Sequence, residues 1–349
     1  MNFHSKLRTS FPHFVVGTLI FFTFVATSDA QWQKQTIDMK ASLRGLSVVN
    51  EKVIWASGTG GTFLKTTDGG KSWKVGKVSD AEKLDFRDVE AFDANTAYLL
   101  SIGAGESSRI YKTSDGGQSW KLQFKNTNEK AFFDAFAFWD AAHGVAMSDP
   151  FDGKYFLIKT DDGGQSWKPL PNDKMPPARD GEAAFAASGT CLAVTGDKDI
   201  WFVTGGRAAR VFHSSNGGLG WLVSFTQILN GAASQGIFSI AFDRAGNSVV
   251  VGGDYQKPNE TERTLALSSD GIAWRNFPGL SGYRSGVTFV DKKTLIAVGS
   301  SGSDVSYDGG KTWKNLDREN YNAVQANGKN AIWAVGASGL VAKFSTIKN

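Results

Sequence analysis

The sequence predicts an all-β protein, a seven-bladed β-propeller. Three observations carry this. A turn string ending in tryptophan recurs six times, a two-strand phrase recurs seven times, and a leftover segment after residue 30 matches the one strand the last repeat lacks.

The turn string reads KTTDGGKSW at 65–73, KTSDGGQSW at 112–120 and KTDDGGQSW at 159–167. Aligned on the final tryptophan, the copies end at Trp73, Trp120, Trp167, Trp221, Trp274 and Trp313, at intervals of 47, 47, 54, 53 and 39 residues. The acidic position holds Asp68, Asp115, Asp162, Asn216, Asp270 and Asp308, so the fourth copy alone carries an amide. The fifth copy is one residue shorter than the rest. Glycines after the acidic residue open backbone angles closed to other residues. The carboxylate is placed to accept hydrogen bonds from turn amides, and the Ser or Thr before the tryptophan joins it. The tryptophan is expected to brace the turn against the neighbouring sheet.

Upstream of each turn lies a pair of short apolar strands joined by a polar turn. The pairs are RGLSVVNEKVIWASG (44–58), RDVEAFDANTAYLLSIG (87–103), DAFAFWDAAHGVAMS (134–148), GEAAFAASGTCLAVTG (181–196), FSIAFDRAGNSVVVGG (238–253), SGVTFVDKKTLIAVGS (285–300) and NAVQANGKNAIWAVGAS (322–338). A third strand, such as GTFLKT or SRIYKT, runs into the turn, and a fourth begins at its tryptophan. The seventh unit runs out at GLVAKFSTIKN without a fourth strand, whereas QWQKQTID at 31–38 begins like the SWK of the other fourth strands. That segment is expected to close the ring by pairing with the 339–346 strand, which removes the need for capping repeats.

The first thirty residues read as a secretory signal peptide. Lys6 and Arg8 precede the apolar run FVVGTLIFFTFVA, and Ser28-Asp29-Ala30 offers small residues for cleavage. The run is shorter than the roughly 20 residues of a membrane-spanning helix. The expectation is an exported, periplasmic or extracellular protein with no membrane span after cleavage. Residues 31–349 then form a single domain of about 46 residues per blade. Without Lys6, Arg8 and Asp29, 36 basic and 33 acidic residues remain, and no dense basic run appears, so no nucleic-acid partner is expected. Cys191 is the only cysteine, so packing rather than disulfides must hold the fold. Forty glycines beside eleven tryptophans fit many tight turns and many large apolar anchors. A closed ring is expected to be monomeric.

The recurring turn is the Asp-box, or BNR repeat, found in sialidases, sortilin-like receptors and photosystem II assembly factors. Within whole-blade patterns such as GTFLKTTDGGKSWK, with seven blades and an export signal, the chain resembles the Ycf48/HCF136-like group over essentially all of 31–349. The resemblance implies the fold, with the Asp-box as a brace away from any active site. It implies photosystem II assembly only where that photosystem exists.

The starts of the innermost strands are expected to ring the central channel. One aligned row holds Arg44, Arg87, Phe133, Asp180, Ile237, Arg284 and Tyr321, and the next holds Gly45, Asp88, Asp134, Gly181, Phe238, Ser285 and Asn322, followed by Glu182. The candidate hub-binding residues are Arg44, Arg87, Asp88, Asp134, Asp180, Glu182, Arg284 and Tyr321. Arginine suits bidentate recognition of carboxylates. Three readings follow: a water-filled polar tunnel, a binding site for a carboxylate or polar peptide, or a sialidase-like hydrolase using the ring. The third would need Arg44, Arg87 and Arg284 aimed at one point and two carboxyls at catalytic separation. Tyr321 near Glu319 resembles the sialidase Tyr–Glu pair, but sialidases have six blades and their Arg-Ile-Pro-type segment is missing. No catalytic residue is assigned.

Metal and cofactor chemistry have little footing. Beyond residue 30 the chain has two histidines, His143 and His213, and one cysteine, too few for a zinc cluster. SDPFDG at 148–153 lacks the full oxygen set of a calcium loop and reads as a turn with solvated carboxylates. SGTGGT (57–62) and GAGESS (103–108) are not complete dinucleotide fingerprints and lead into no helix, and no G-x-S-x-G elbow occurs. No metal or cofactor is expected. The extended loops at 149–155, 172–180 and 252–263 are further candidate recognition elements. The favoured function is a non-catalytic platform for a protein or peptide, in an assembly or envelope-maintenance role, with a carbohydrate-active enzyme or glycan-binding protein as the alternative.

Overall fold

The computed structural model describes Met1 and residues 31–345. The expected signal peptide and the last four residues lie outside these. Seven antiparallel sheets follow one another along the chain, and each contains the four strands of one blade. Blade 1 is typical: Leu43–Val48 lies innermost, followed outwards by Ile54–Gly58, Thr62–Thr66 and Lys74–Lys77. First strands of successive blades lie side by side around the axis. Among the described residues the only helical turns are two three-residue 3₁₀ segments, Gly105–Ser107 and Ala337–Gly339, and no helix is long and apolar enough to cross a membrane.

Strand composition follows position in the blade. Second strands are sandwiched between neighbouring blades and read as continuous apolar runs: Ile54–Gly58, Ala97–Ser101 and Ile332–Gly336 are buried at every residue. Fourth strands are the outer edges and are largely exposed. Each opens on a lysine in blades 1, 2, 3 and 6 (Lys74, Lys121, Lys168 and Lys314), a charge that blunts edge-to-edge association.

The ring closes as the N-terminal segment suggests. Gln31–Lys34 is the outer strand of blade 7, with Trp32 opposite Phe344 and Lys34 opposite Ala342. The Trp32 ring lies against Tyr321 and Phe344, and its Nε1–H donates to Ser303 Oγ of blade 6 at 2.9 Å.

The Asp-boxes act as braces. Asp68 accepts the Ser72 amide (3.0 Å) and hydroxyl (2.6 Å) and the Thr66 hydroxyl (2.8 Å). The same pattern recurs at Asp115, Asp162 and Asp308. These bonds to the charged form hold the carboxyls low, Asp162 and Asp308 to about 2. Asn216 keeps the turn with its amide oxygen, which accepts from Gly220 N and Ser214 Oγ. The box tryptophans are half-buried, and Trp73 packs edge-on against Trp333 of blade 7 while Trp120 packs against Trp55 and Phe63 of blade 1. Trp167, Trp221, Trp274 and Trp313 occupy the same position in their own blades.

Blade 4 departs from the aligned phrases. Its innermost strand is Leu192–Thr195 and its second is Asp199–Val203, so CLAVTG is a first strand and not a second. The preceding residues instead form Glu182–Ala183, which pairs with Gly205–Gly206 and extends the sheet of blade 5. Asp180, Gly181 and Glu182 are thereby displaced from the row assigned to them.

Candidate functional site at the hub mouth

A β-bulge at the start of the first strand shapes the mouth of the channel. Register slips between Leu43 and Gly45, Phe86 and Asp88, Phe133 and Ala135, Ile237 and Ser239, and Tyr321 and Ala323. The extra residue in each blade is Arg44, Arg87, Asp134, Phe238 or Asn322. A bulge re-aims its unpaired residue out of the alternating pattern. Arg44, Arg87, Phe238 and Asn322 line a pocket of about 440 Å³ together with Phe185, Tyr255, Tyr283 and Tyr321.

A strap from the blade 3–4 connection crosses this mouth. Arg44 Nη1 donates to the Ala187 carbonyl at 3.0 Å, and Arg87 Nη1 to the Ala186 carbonyl at 3.1 Å. Arg87 Nε also pairs with Asp85 at 2.8 Å. Phe185 stacks on Phe238 with ring centroids 3.9 Å apart, and Tyr283 meets Phe238 edge-on. Ser188 Oγ donates to the Ser285 carbonyl of blade 6 at 2.7 Å. Gly189 follows with φ +75°, where a Cβ would come within 2.3 Å of Asp88 Oδ1. The strap can pass that close to the hub wall only as glycine. Burial, and then the neighbouring Arg87, lower the Arg44 pKa from its ordinary value.

The other candidate residues separate into two groups. Asp88 and Asp134 lie in the channel wall, buried. Asp88 accepts the Val89 amide at 2.9 Å and the Phe136 amide at 3.0 Å, yet burial pushes its pKa up to about 7. Asp134 is raised well above the usual carboxylate range by burial and by Asp149, against a smaller opposing effect of Arg87, and its Oδ2 has no hydrogen-bond partner. Asp149 is not the solvated turn carboxylate expected: it accepts the Ala184 amide at 2.7 Å, and burial raises it to about 6. Asp152 is exposed and pairs with Lys130. Among the described residues no three His, Cys, Asp or Glu side chains group as metal ligands.

Arg284, Glu182 and Asp180 do not join the mouth. Arg284 sits at the register position of Leu43, outside any bulge, and its side chain is fully buried against Asp304 at 2.6 Å. Glu182 is buried in a pair with Arg210 and accepts the Thr204 hydroxyl at 2.6 Å. Asp180 is exposed on the strap's approach. Tyr321 reaches the pocket wall, but its hydroxyl donates to Asp317 at 2.9 Å. The three-arginine convergence that a sialidase-like site requires is therefore not formed. Phe185, Tyr255 and Tyr283 were not among the candidates. Tyr255 belongs to the extended 252–263 loop, and the other two flank the aligned rows.

The Asp88 geometry has a measurable consequence. Its folded pKa is raised, so the folded state holds the proton to higher pH than the unfolded chain does. Stability is then lost as pH rises from about 3.9 in the unfolded chain through about 7. Asp88→Asn removes that loss. The change in urea-unfolding free energy on substitution should be more favourable at pH 8 than at pH 4 by at least about 1.4 kcal/mol, one pKa unit. An identical change at both pH values would show that Asp88 stays ionised in the fold.

Comparison with known proteins agrees with this architecture. The family model described as photosynthesis system II assembly factor YCF48 matches residues 9–105. A structure of YCF48 bound to a D1 peptide is similar at 16% identity and a TM-score of 0.66, over 90% of this chain and 97% of that one. YCF48 from Cyanidioschyzon merolae is similar at 18% identity and a TM-score of 0.65, over 90% and 99%. The GH74 enzyme of Niastella koreensis is similar at 14% identity and a TM-score of 0.59, over 89% of this chain and 53% of that chain. At these identities the structural likeness is one of fold. No curated protein matches the sequence. With six Asp-boxes, seven four-stranded blades and a family match that runs into the second blade, the chain is a seven-bladed β-propeller of BNR repeats that is similar to YCF48.

Proposed function

We propose that the chain is an exported, non-catalytic propeller platform that binds a protein or peptide partner at the hub mouth, in an assembly or envelope-maintenance role. One observation carries the reading: two bulge-projected guanidiniums already grip backbone carbonyls of polypeptide, those of Ala186 and Ala187 in a turn of the strap. Among the described residues Arg44 Nε and Nη2 have no hydrogen-bond partner, and Arg44 borders the open pocket, whose aromatic wall suits apolar side chains. An arginine with donors to spare beside a peptide-sized cleft favours carbonyls and carboxylates. The similar YCF48 structure with a bound D1 peptide supports a peptide as the ligand class. Export rests on the pattern of residues 1–30.

The test is affinity capture from envelope extract with mature protein and an Arg44→Ala/Arg87→Ala variant, both shown to be folded. A discrete protein retained by the wild type and lost, by at least about 10-fold, from the variant is the expected result. Equal retention would remove the hub mouth from the proposal, and retention of nothing would remove the platform.

A further inference from the structure

Three asparagines of the chain are followed by glycine: Asn216-Gly217, Asn230-Gly231 and Asn327-Gly328. Such a pair is open to self-deamidation, because the residue after the asparagine has no side chain to shield its amide nitrogen and few limits on its backbone angles. The fold treats the three pairs differently. The Gly217 amide donates to the Lys198 carbonyl at 3.0 Å, and the Gly231 amide to the Gly206 carbonyl at 2.8 Å. Each must break that bond before it can react. Among the described residues the Gly328 amide has no acceptor. Asn327 and Gly328 are both exposed, and nothing lies within 4 Å of the Cβ direction at Gly328.

The turn around Gly328 also lacks a cap that four of its counterparts have. Between the first and second strands of blades 1, 2, 3 and 6, a side-chain oxygen of Asn50, Asp93, Asp140 or Asp291 accepts two amides of the turn. The residue before each cap donates its N–H to the carbonyl four places on, as Asn327 does to Ala331, so Gly328 stands in the capping position. Asn327 itself is tied to the neighbouring blade. Its Nδ2 donates to the Val49 carbonyl at 2.7 Å and the Val48 carbonyl at 3.4 Å. Beside it Gln325 Oε1 accepts the Val48 amide, and Asn330 Nδ2 donates to Glu51 at 2.8 Å. These side-chain amides fasten blade 7 to blade 1. The three inner strands of blade 7, Tyr321–Ala326, Ile332–Gly336 and Val341–Ser345, meet blade 1 and the N-terminal strand only through non-covalent contacts.

We propose that Asn327 is a self-deamidation site, and that its conversion unfastens blade 7 from blade 1 at this corner of the ring. The Gly328 nitrogen, its proton lost to solvent base, attacks Asn327 Cγ. The N–Cγ bond forms as Cγ–Nδ2 breaks, and the amide leaves as ammonia with protons from solvent. Water then opens the cyclic imide. Cleavage of N–Cγ gives aspartate, and cleavage of the bond to the backbone carbon gives isoaspartate, which adds a carbon to the main chain of the turn. No oxidation or reduction occurs. Either product sets a carboxylate against the Val48 and Val49 carbonyls, which then face an acceptor in place of their donor. The site does not involve the hub mouth.

The test incubates mature protein in mildly alkaline buffer, where more of the attacking nitrogen is deprotonated. Each Asn-Gly peptide is followed by mass spectrometry as –NH2 becomes –OH. Asn327 should convert at least about 10-fold faster than Asn216 and Asn230, whose glycine amides react only after local opening. In urea, with the fold removed, the three should convert at similar rates. Gly328→Asn, which tolerates the positive φ at this position, should stop conversion at Asn327. Equal rates in the folded protein, the same preference for Asn327 in urea, or unaltered conversion in Gly328→Asn would overturn the site. Asn327→Asp, identical to one product, should unfold at lower urea than Asn327→Ala, which loses the donor without adding a charge. It should also speed amide exchange several-fold at residues 48–53 and 327–331. An Asn327→Asp protein as stable as the wild type, with unaltered exchange there, would overturn the unfastening.

Discussion

Arg284→Ala is expected to destabilise the propeller by about 3–5 kcal/mol, read as a fall in the guanidinium midpoint at unchanged slope. Arg284 Nε and Nη2 both reach Asp304 Oδ2, at 2.7 and 2.6 Å, and neither side chain is exposed. The same guanidinium donates to the Tyr283 carbonyl, Ser301 Oγ and Ser281 Oγ, which stitches the 281–284 approach to the third strand of blade 6. Truncation leaves the Asp304 carboxylate buried and without its cation. The loss comes from that stranded charge rather than from any large net worth of the pair. Arg284→Met/Asp304→Leu should therefore recover much of the stability. A single-mutant loss below about 1 kcal/mol would mean that water reaches Asp304 and screens it.

Trp55→Ala is expected to cost a similar amount, about 3–5 kcal/mol. The indole is fully buried and contacts Phe63 at 6.1 Å and Trp120 at 6.2 Å between ring centres. Its N–H donates to the Asp93 carbonyl at 3.0 Å, and Lys65 caps its face. Removing it hollows the junction of blades 1 and 2 and strands Lys65 beside an empty space. Trp55→Val makes the informative comparison, because in blade 3 Val145 stands at that register, opposite Lys159 as Trp55 stands opposite Lys65. It should be destabilising here, where no neighbouring leucine takes up the space as Leu170 does under Gly218. Calorimetry on the two variants and the wild type checks both. A Trp55→Ala protein as stable as the parent would show that this indole does not hold blades 1 and 2 together.

Arg284 also shows the limits of pattern reading at the hub. Arg284 and Arg44 occupy aligned positions in the repeated phrases, yet one is a buried structural cation and the other opens onto a pocket. The cause is the bulge. Arg44 is the extra residue of the blade 1 bulge, whereas Arg284 sits one place earlier, where Leu43 sits in blade 1: Gly286 pairs with Val298 as Gly45 pairs with Ser57. Blade 4 misled for a related reason. GEAAFAASG resembles a first strand in composition, but it became the strap across the channel. The signal lay further on: DIWFV abuts the third strand RVFHS, so counting strands backwards from the fourth box finds Leu192–Thr195 as the innermost strand.

Blade number, ring closure and the bracing turns were open to inspection in the linear chain because their determinants are local and repeated. An Asp, two glycines and a tryptophan within nine residues specify a turn by short-range hydrogen bonds and backbone freedom, whatever surrounds them. QWQK announced the missing outer strand by resembling its six counterparts. The strap over the mouth, the pairing of Glu182 with Arg210 and of Arg284 with Asp304, and the ringless junction at Val145 answer to no such rule. Each depends on which distant groups share one small volume, and there a single added residue or one absent ring changes whether a charge is buried in a pair or left facing an open cleft.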